Sequence, residues 1–503
     1  MAPVDGGRSI SDRLERELAG RQLIVVSNRE PRVHETTPEG GSVVRRPVSG
    51  VVTALDPVLR AVGGTWIAVA SGSADRAHVD AGDRVRVHEA GRAYTLRRLW
   101  LTRAERRGHY DGFSNAGLWP LCHLAFTAPR FRRGDWTQYA EVNRRFADAV
   151  AAEAEVDDPI VFIQDYHLAL LPRLVRERLP RATIVLFWHI PWPNHSRFEC
   201  CPYGAAIVEA MLAADLLGFQ TGTHVEHFLD SAQALSGAVA VDEAGTLVFD
   251  GSPVAVGAFP ISVEFPGRWT QGVEAPLAAR HRVQRELGIG PDTRIVLSVD
   301  RLDYTKGIEE RLAAIRRLLA RGCEPDVVFV QVAPPTRTGL DAYREFGARV
   351  RAQVAAVNGR FGRPGYQPVV LLDRHVEPED VHRFYRAADV CHVNSLDDGM
   401  NLVAKEFVAA RDDERGVLVL SRFAGAAREL DRAILVNPYD VDAGADAIDA
   451  ALSMPLDEQA ARMRALRLHV RRHDVFAWAE RILTAAAGAG RETPRVVATV
   501  FPG

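Results

Sequence analysis

Arg301 and Lys306 stand on one short segment, SVDRLDYTKG (298–307), which follows an apolar run and precedes a helical pattern. A guanidinium and an ammonium close to a helix N-terminus together suit a diphosphate. Lysine is rare in this chain: of 62 lysines and arginines, only Lys306 and Lys405 are lysines. The alternative, two solvated loop cations, is disfavoured because so scarce a lysine indicates a need for a compact point charge.

A second segment, VNSLDDGMNLVAKEF (393–407), combines a strand end, a turn and the start of a helix. Gly399 permits a tight turn, so the backbone N–H groups that follow would point at a bound anion. Those N–H groups belong to Met400, Asn401, Leu402 and Val403. Asp398 could accept hydrogen bonds from sugar hydroxyls, or it could cap the helix. Glu406 could accept both hydroxyls of a ribose, or only interact favourably with the helix dipole.

Polar side chains also follow predicted strands in the N-terminal half. Asp165 comes directly after the apolar run 160–164, and His189 after the run 183–188. His189 could equally be a core histidine, because tryptophans lie beside it in the sequence. Further polar or aromatic candidates near strand ends or loops are Arg29, Tyr110, Trp119 and Arg337.

The elements that must position these residues alternate along the chain. Predicted strands cover 23–27, 160–164, 183–188, 294–299, 327–332, 368–372, 390–393, 417–420 and 434–436. Predicted helices include 51–61, 137–154, 225–234, 309–320, 340–357, 401–410 and 456–470. Continuous Val/Ile/Leu strands between helices indicate parallel sheets that are covered on both faces.

The alternation starts twice, at IVVSNRE (24–30) and at IVLSVDRLDYTKG (295–307). The Pro- and Gly-containing segment 262–276 between them predicts a boundary near residue 265, giving domains 1–265 and 266–503. Two doubly wound domains that face one another would form a cleft at the carboxyl ends of their strands. We expect the last helices to pack back toward the N-terminal domain.

Composition excludes several classes of protein. With 503 residues, 47% hydrophobic and 25% charged, the chain is not disordered, and a formal charge of −3 gives no general basis for binding nucleic acid or membranes. The N-terminus is charged, unlike a secretory signal, and no apolar run approaches the ~20 residues of a membrane span. Five cysteines without a CxxC spacing argue against a zinc ribbon, and the DxD at 440–442 is interpreted as a turn and helix start. The sequence therefore predicts a cytoplasmic protein that needs neither metal nor cofactor.

Eight motifs then occur in order: VVSNRE, FSNAGLWP, QDYHL, HIPWP, LLGFQT, VDRLDYTKGI, DDGMNLVAKEF and SRFAGAAREL. Together they resemble the trehalose-6-phosphate synthase family, glycosyltransferase family 20, over about residues 22–485. The resemblance implies an α/β GT-B architecture with two Rossmann-like domains, an N-terminal one for the acceptor and a C-terminal one for the donor. It also implies metal-independent transfer of glucose, with retention, from a nucleoside-diphosphate-glucose to glucose 6-phosphate.

The resemblance also implies roles for individual residues. Arg301 and Lys306 would bind the donor diphosphate, Glu406 the donor ribose, and His189 would touch the transferred glucose. Further donor-binding positions are Ser49, Gly50, Val376, Asp398, Gly399, Met400, Asn401, Leu402 and Val403. Acceptor-binding positions are Arg29, Tyr110, Trp119, Asp165 and Arg337, and Asp165 is also placed with the catalytic residues. No role follows for Lys405.

Two departures from the family pattern leave the donor base open between UDP-, GDP- and ADP-glucose. The usual Gly-Gly is Ser49–Gly50 here, and Asn394, Ser395, Leu396 and Asp397 replace Thr-Pro-Leu-Arg. Alternative activities are a glucosylglycerol-phosphate synthase and a cyclitol-coupling pseudo-glycosyltransferase. A silent regulatory subunit is disfavoured because the charged site residues are all present. The sequence leaves a homo-oligomer open.

Overall fold

The computed structural model of the protein describes residues 10–46, 50–88, 91–236, 240–241, 246–267, 274–322 and 326–489. The chain divides into two compact units. The first contains the described residues up to His123, those of Thr127–Ile261 and those from Val475 onward; the second contains Leu124–Phe126 and Ser262–Asp474. The division after Ile261 lies slightly before the boundary predicted near residue 265.

The first unit is built on a ten-stranded sheet with a parallel centre. From one edge to the other, its strands are Ala240–Val241, Leu247–Phe249, Ser252–Ala258, Leu216–Phe219, Thr183–Phe187, Ile160–Gln164, Leu23–Arg29, Thr65–Val69, Tyr94–Leu99 and Arg84–Val87. The strands from Ser252–Ala258 to Tyr94–Leu99 pair in parallel, and antiparallel strands flank them at both edges. The strands Val33–Thr36 and Ser42–Arg45 form a separate hairpin.

Helices and a π-helix complete the first unit. The helices are Ile10–Leu18, Gly50–Val62, Arg103–Glu105, Trp119–Cys122, Arg133–Glu153, Leu171–Arg178, His195–Phe198, Gly204–Met211, Gly222–Ser236 and Val475–Ala489, and the π-helix is Arg106–Leu118. The last helix packs on the sheet through Trp478. The Trp478 ring lies 5.9 Å from Phe162 and 5.4 Å from Phe187, and its Nε1 donates to the carbonyl oxygen of Phe259 at 3.2 Å.

The second unit has a six-stranded sheet in which every neighbouring pair is parallel. The order is Val369–Leu372, Val327–Val332, Arg294–Val299, Val390–Val393, Val417–Ser421 and Ile434–Val436. Its helices are Pro276–Leu287, Ile308–Arg321, Asp341–Phe361, Pro378–Ala387, Leu402–Ala410, Val441–Ser453 and Leu456–Arg472. The α/β class and the doubly wound, parallel character of both units are confirmed.

Two smaller expectations can be checked in the described residues. Asp440 caps the helix Val441–Ser453 by accepting a hydrogen bond from the N–H of Ala443, so the DxD is a turn and helix start, as predicted. None of the helices in the described part of the chain is long and apolar enough to cross a membrane.

Candidate functional site

Each parallel sheet has a point from which the chain winds outward in both directions. In the second unit this switch point lies between the adjacent strands Arg294–Val299 and Val390–Val393. In the first unit it lies between Leu23–Arg29 and Ile160–Gln164. Ligands of doubly wound sheets bind at the carboxyl ends of the strands at such points. Many of the predicted site residues follow the strands at these two points.

In the second unit, the two loops at the switch point are joined by an ion pair. Lys306 Nζ lies 2.5 Å from Asp398 Oδ2, and both side chains are largely buried. Ser395 Oγ and Asn401 Nδ2 donate to the same oxygen, each at 3.2 Å. The loops are also tied through their backbones, because the N–H of Leu396 donates to the carbonyl oxygen of Thr305 at 2.8 Å.

Asn394 and Ser395, which depart from the family pattern, contribute to this arrangement. The side-chain amide of Asn394 donates to the carbonyl oxygen of Gly307 at 3.2 Å, and the Ser395 hydroxyl donates to Asp398. Asp397 accepts a hydrogen bond from the N–H of Leu124, within the same unit, at 2.8 Å. Each of these three side chains therefore forms a hydrogen bond with another group of the second unit.

A buried carboxylate organises two of the predicted cationic residues. Asp303 Oδ2 lies 3.2 Å from Arg337 Nη1 and 3.9 Å from Arg301 Nη2. Although burial alone would raise the pKa of Asp303, the charges of Arg337, Arg301 and Lys306 hold that pKa below its ordinary value. Arg337 also donates to the hydroxyl of Tyr343. Asp303 thus fixes Arg337 and lies close to Arg301.

The helix Leu402–Ala410 offers backbone N–H groups at this edge. Its cap is Asn401, whose side-chain oxygen accepts from the N–H of Ala404 at 3.2 Å, so the alternative in which Asp398 caps the helix is wrong. The N–H groups of Leu402 and Val403 have no acceptor within a helix and are suited to an anion. Gly399 and Met400 form the turn before the cap.

Glu406 lies one turn into the same helix. Its Oε2 accepts a hydrogen bond from the hydroxyl of Tyr385 at 2.8 Å. Burial raises the pKa of Glu406 to about 7, and the Tyr385 hydrogen bond opposes that rise. Near neutral pH, this carboxyl group can therefore accept hydrogen bonds from hydroxyls while it is only partly ionised.

The remaining predicted donor positions are less informative. Val376 is buried in the second unit, just before the helix Pro378–Ala387. Gly50 opens the helix Gly50–Val62 of the first unit and is exposed. Ser49 lies outside the described residues.

In the first unit, the predicted acceptor residues lie around one aromatic cluster. Arg29 Nη2 donates to the hydroxyl of Tyr110 at 3.2 Å, and the Tyr110 ring stacks on His167 at 5.6 Å. Trp119 is buried, and its ring lies 6.0 Å from Tyr166, which neighbours His167. The structure therefore brings Arg29, Tyr110 and Trp119 to one region of this unit.

Asp165 and His189 follow adjacent strands and contact each other. Asp165 Oδ1 accepts a hydrogen bond from the backbone N–H of His189 at 3.1 Å. Asp165 has a φ of 75°, a left-handed conformation that is costly for a residue with a Cβ. Arg337 and Asn401 also have positive φ, at 48° and 77°. Backbone strain of this kind is often found at functional sites.

The side chain of His189 is held between two glutamines. Its Nε2 lies 2.9 Å from Gln164 Oε1, and its Nδ1 lies 3.5 Å from Gln220 Nε2. Gln220 is oriented because its Oε1 accepts from the N–H of Ile261 at 3.0 Å. The ring therefore accepts a hydrogen bond at Nδ1 and donates from Nε2. Burial lowers the pKa of His189 to about 3, so the ring is neutral at physiological pH.

Sequence reasoning missed several supporting residues. Asp303 fixes the predicted binding residue Arg337, and Tyr385 fixes Glu406. Arg311 supports the loop that carries Lys306. Arg311 donates to Asp300 Oδ2 at 2.8 Å, to Gln331 Oε1 at 2.6 Å and to the carbonyl oxygen of Lys306 at 3.4 Å. Asp303 lies within the predicted phosphate loop 298–307, and this position is the one feature of the sequence that could have indicated its role. Within the ranges that the structure describes, no group of three or more His, Cys, Asp or Glu side chains could hold a metal ion.

Comparison with known proteins agrees with this geometry. A model of glycosyltransferase family 20 matches residues 21–487. The trehalose-6-phosphate synthase of Mycolicibacterium gilvum (strain PYR-GCK) is 41% identical over 484 residues, covering 93% of this chain and 94% of the relative.

Solved structures give the same result. An E. coli trehalose-6-phosphate structure bound with UDP-2-fluoro glucose has a TM-score of 0.81 and 32% identity, covering 93% of this chain and 99% of its own. A UDP-forming α,α-trehalose-phosphate synthase from Burkholderia xenovorans, in complex with glucose-6-phosphate, has a TM-score of 0.78 and 33% identity, covering 91% and 98%. The similarity spans both units of the chain.

Proposed function

The chain belongs to glycosyltransferase family 20 and is an enzyme of trehalose 6-phosphate synthesis; from this premise we propose that it transfers glucose from a nucleoside-diphosphate-glucose to glucose 6-phosphate. The product is α,α-trehalose 6-phosphate, and the configuration at the transferred carbon is retained. One observation carries the proposal: Lys306, Arg301 and the first N–H groups of the helix Leu402–Ala410 converge at one switch point.

The donor would bind in the second unit. The diphosphate meets Arg301, Lys306 and the amides of Leu402 and Val403, which together supply charge for a leaving diphosphate. Asp398 accepts hydrogen bonds from glucose hydroxyls, and Glu406 accepts those of the ribose. The Burkholderia xenovorans structure with glucose-6-phosphate supports a sugar phosphate as acceptor.

The acceptor residues are proposed from both sequence and position. Arg29, Tyr110 and Trp119 lie in one region of the first unit, and Asp165 follows the adjacent strand. Arg337 would neutralise the acceptor phosphate, since a guanidinium held by Asp303 and Tyr343 has two of its contacts already fixed.

The proposed reaction exchanges one bond for another on the same face of the sugar. The bond from the glucose anomeric carbon to the diphosphate oxygen breaks, and a bond to the anomeric hydroxyl oxygen of the acceptor forms. The proton of that hydroxyl passes to the departing diphosphate oxygen. His189 suits a role as a fixed, neutral hydrogen-bonding group because its nitrogens face Gln164 and Gln220. The enzyme then supplies orientation and positive charge.

We propose uracil as the base of the donor nucleotide. Asn394 and Ser395 bond to the loops of the site, so their departure from the family pattern is explained without a different base. The E. coli structure bound with UDP-2-fluoro glucose favours uracil, and GDP-glucose and ADP-glucose are the alternatives.

The deciding experiment incubates the protein with glucose 6-phosphate and each of UDP-, GDP- and ADP-glucose, with and without EDTA. We expect one donor to give α,α-trehalose 6-phosphate, identified by NMR, with equal yield in EDTA. Replacing glucose 6-phosphate by glycerol 3-phosphate tests the alternative acceptor. Absence of product with all three donors would overturn the proposal, and loss in EDTA with recovery in magnesium would overturn the charge assignment.

A further inference from the structure

Lys405, the second of the two lysines, has no role in the proposed reaction, although it directly precedes Glu406 in the sequence. It is 1% exposed, on the helix Leu402–Ala410. Its Nζ lies 2.6 Å from Oε2 of Glu429, whose side chain is also buried. The other oxygen of Glu429 lies 3.4 Å from Nε2 of His469. A buried lysine that pairs with a buried carboxylate is costly to desolvate, so its presence calls for an explanation.

The segment that carries Glu429 also holds the loop before the helix. The N–H of Asp398 donates to the carbonyl oxygen of Phe423 at 3.1 Å, and the N–H of Gly425 donates back to the carbonyl oxygen of Asp398 at 3.0 Å. The N–H of Ala426 donates to the carbonyl oxygen of Met400 at 2.8 Å. The loop of the donor site therefore lies directly against residues 423–426.

The packing between these segments leaves no room for a side chain. A Cβ on Gly425 would lie 2.0 Å from the carbonyl oxygen of Gly399, closer than any real contact. Glu429 follows four residues later in the same segment, and Lys405 lies one turn into the helix that the loop begins. The same two segments are therefore joined twice, by backbone hydrogen bonds at the loop and by the ion pair at the helix.

We propose that Lys405 and Glu429 form a positioning pair that fixes the helix Leu402–Ala410 against residues 423–429. Fixing this helix sets the direction of the amides of Leu402 and Val403 and the position of Glu406. This inference rests on the proposed function, because it assumes that those groups bind the donor. Neither Lys405 nor Glu429 needs to touch the donor for this role.

The helix geometry explains how the pair can fix a rotation. Consecutive residues of an α-helix point about 100° apart, at 3.6 residues per turn. Lys405 is held by Glu429 on one side while Glu406 is held by the hydroxyl of Tyr385 on another. Rotation of the helix about its axis would displace both side chains from their partners.

The carboxylate of the pair stays ionised in the pH range of enzyme assays. Burial alone would raise the pKa of Glu429, but Lys405 and His469 lower that pKa to about 2. The carboxylate therefore remains ionised at neutral pH. An ammonium also needs less space beside one carboxylate oxygen than a planar guanidinium does, which accounts for a lysine in a chain that otherwise uses arginine.

The test compares Lys405→Met with the wild-type enzyme in kcat, in KM for donor and acceptor, and in melting temperature. We expect the donor KM to rise about tenfold, equivalent to about 1.4 kcal/mol, with the acceptor KM unchanged. The double variant Lys405→Met, Glu429→Gln also removes the buried carboxylate that has lost its lysine. We expect the double variant to regain melting temperature but to keep the raised donor KM. If the pair only stabilised the fold, the donor KM would return to the wild-type value together with the melting temperature.

The matched control is Arg280→Met in the same unit. Arg280 pairs with Asp389 at 2.8 Å near the amino ends of strands, away from the loops of the site. This variant should lower the melting temperature and leave the donor KM unchanged. A Lys405→Met enzyme with unchanged donor KM, or with donor and acceptor KM raised equally, would overturn the inference.

Calorimetric binding of UDP, GDP and ADP separates this inference from the proposed function. If the wild-type protein forms no product, the proposed function fails, but a weaker diphosphate affinity in Lys405→Met would still support the positioning pair. Equal affinity in wild type and variant would overturn it. If Lys405→Met does not fold, Lys405→Arg, which keeps the charge, is measured in the same way with the same two outcomes.

Discussion

Lys306 and Asp398 form an ion pair between two adjacent loops of the second unit, with Nζ 2.5 Å from Oδ2. Under the proposed function both residues would bind the donor, the ammonium the diphosphate and the carboxylate the glucose. A bound diphosphate would compete with Asp398 for the Lys306 ammonium. The ion pair would therefore link the contact of Lys306 with the diphosphate to the contact of Asp398 with the glucose. Under the proposed function, the carboxylate would also hold Lys306 at the place where the negative charge of the leaving group develops.

Lys306→Arg should strongly reduce turnover although it preserves the charge. A guanidinium is larger and planar, and it cannot replace an ammonium that approaches one oxygen closely. Loss of one well-placed donor to a developing charge costs about 3–4 kcal/mol, or roughly 100- to 1000-fold in rate. Steady-state measurement of kcat with the accepted donor tests this, with the melting temperature recorded alongside.

The control for that substitution must be an exposed cation. Lys405 is unsuitable because it is buried. Arg282, which pairs with Glu274 and Glu286 on the surface, is suitable as Arg282→Lys and should leave turnover unchanged. Near-normal turnover of Lys306→Arg would show that the lysine has no special role.

Arg337→Ala should weaken the use of glucose 6-phosphate far more than the use of the donor. Arg337 has a φ of 48° and a buried side chain held by Asp303, so its guanidinium is fixed before the acceptor arrives. Separate measurements of KM for each substrate test this prediction. An equal increase in both would indicate that Arg337 acts on the fold or on the donor site. Tyr343→Phe, which removes only one partner of Arg337, should give a smaller change of the same kind.

The sequence predicts the strands of the second unit well because they are short, continuous apolar runs; the inner strands are buried on both faces, whereas the edge strand Ile434–Val436 exposes Leu435. Strands 294–299, 327–332, 390–393 and 434–436 were predicted with the bounds that the structure has. The π-helix Arg106–Leu118, which carries Tyr110, was not predicted, since its glycines and polar residues show no helical period.

The site was predictable where it follows strand ends and not where it depends on contacts distant in sequence. Arg301, Lys306 and Asp398 lie after predicted strands. By contrast, Tyr385 and Glu429 reach the site helix from other elements, 21 and 24 residues away from their partners in the chain. Pairing over such separations is set by tertiary packing, which a local pattern does not reveal.

Donor binding should depend on pH through Glu406. Burial raises the pKa of Glu406 to about 7, so the carboxylate gains a proton as the pH falls below that value. A protonated carboxyl group accepts fewer hydrogen bonds from ribose hydroxyls. We expect the donor KM to rise between pH 8 and pH 6, and Glu406→Gln to show a high donor KM with no such dependence. An identical pH profile in wild type and Glu406→Gln would contradict the assignment.

Glu406 should give the stability of the fold a pH dependence opposite to that of donor binding. The folded-state pKa of Glu406 lies above its ordinary value of 4.5, so the native state binds more protons and stability falls as the pH rises from 4.5 to about 7. The shift sets an upper limit of about 3 kcal/mol on this cost. Glu406→Gln should therefore melt at a higher temperature than wild type at pH 8, and the two should converge near pH 5. Thermal denaturation at both pH values measures the difference.

Arg98 of the first unit anchors a buried charge cluster next to Arg29. Its side chain is fully buried, with Nε 2.8 Å from Glu30 Oε2 and Nη2 2.8 Å from Asp75 Oδ1. Its Nη2 also donates to the carbonyl oxygen of Arg32 at 3.1 Å. Glu30 directly follows Arg29, so this cluster fixes the strand end from which a predicted acceptor residue projects.

Arg98→Met should destabilise the protein because it leaves two buried carboxylates without their shared cation. Breaking a buried pair in this way costs about 3–5 kcal/mol, which corresponds to a fall in melting temperature of roughly 6–20 °C. The loss should shrink at lower pH. Burial already raises the pKa of Glu30 to about 7 while Arg98 opposes that rise, so the variant's carboxyl group would be neutral at pH 5 and charged only at higher pH. Arg98→Lys, which keeps a cation, should lose less than Arg98→Met at pH 8, and equal melting temperatures for wild type and Arg98→Met at pH 8 would show that the cluster does not support this strand end.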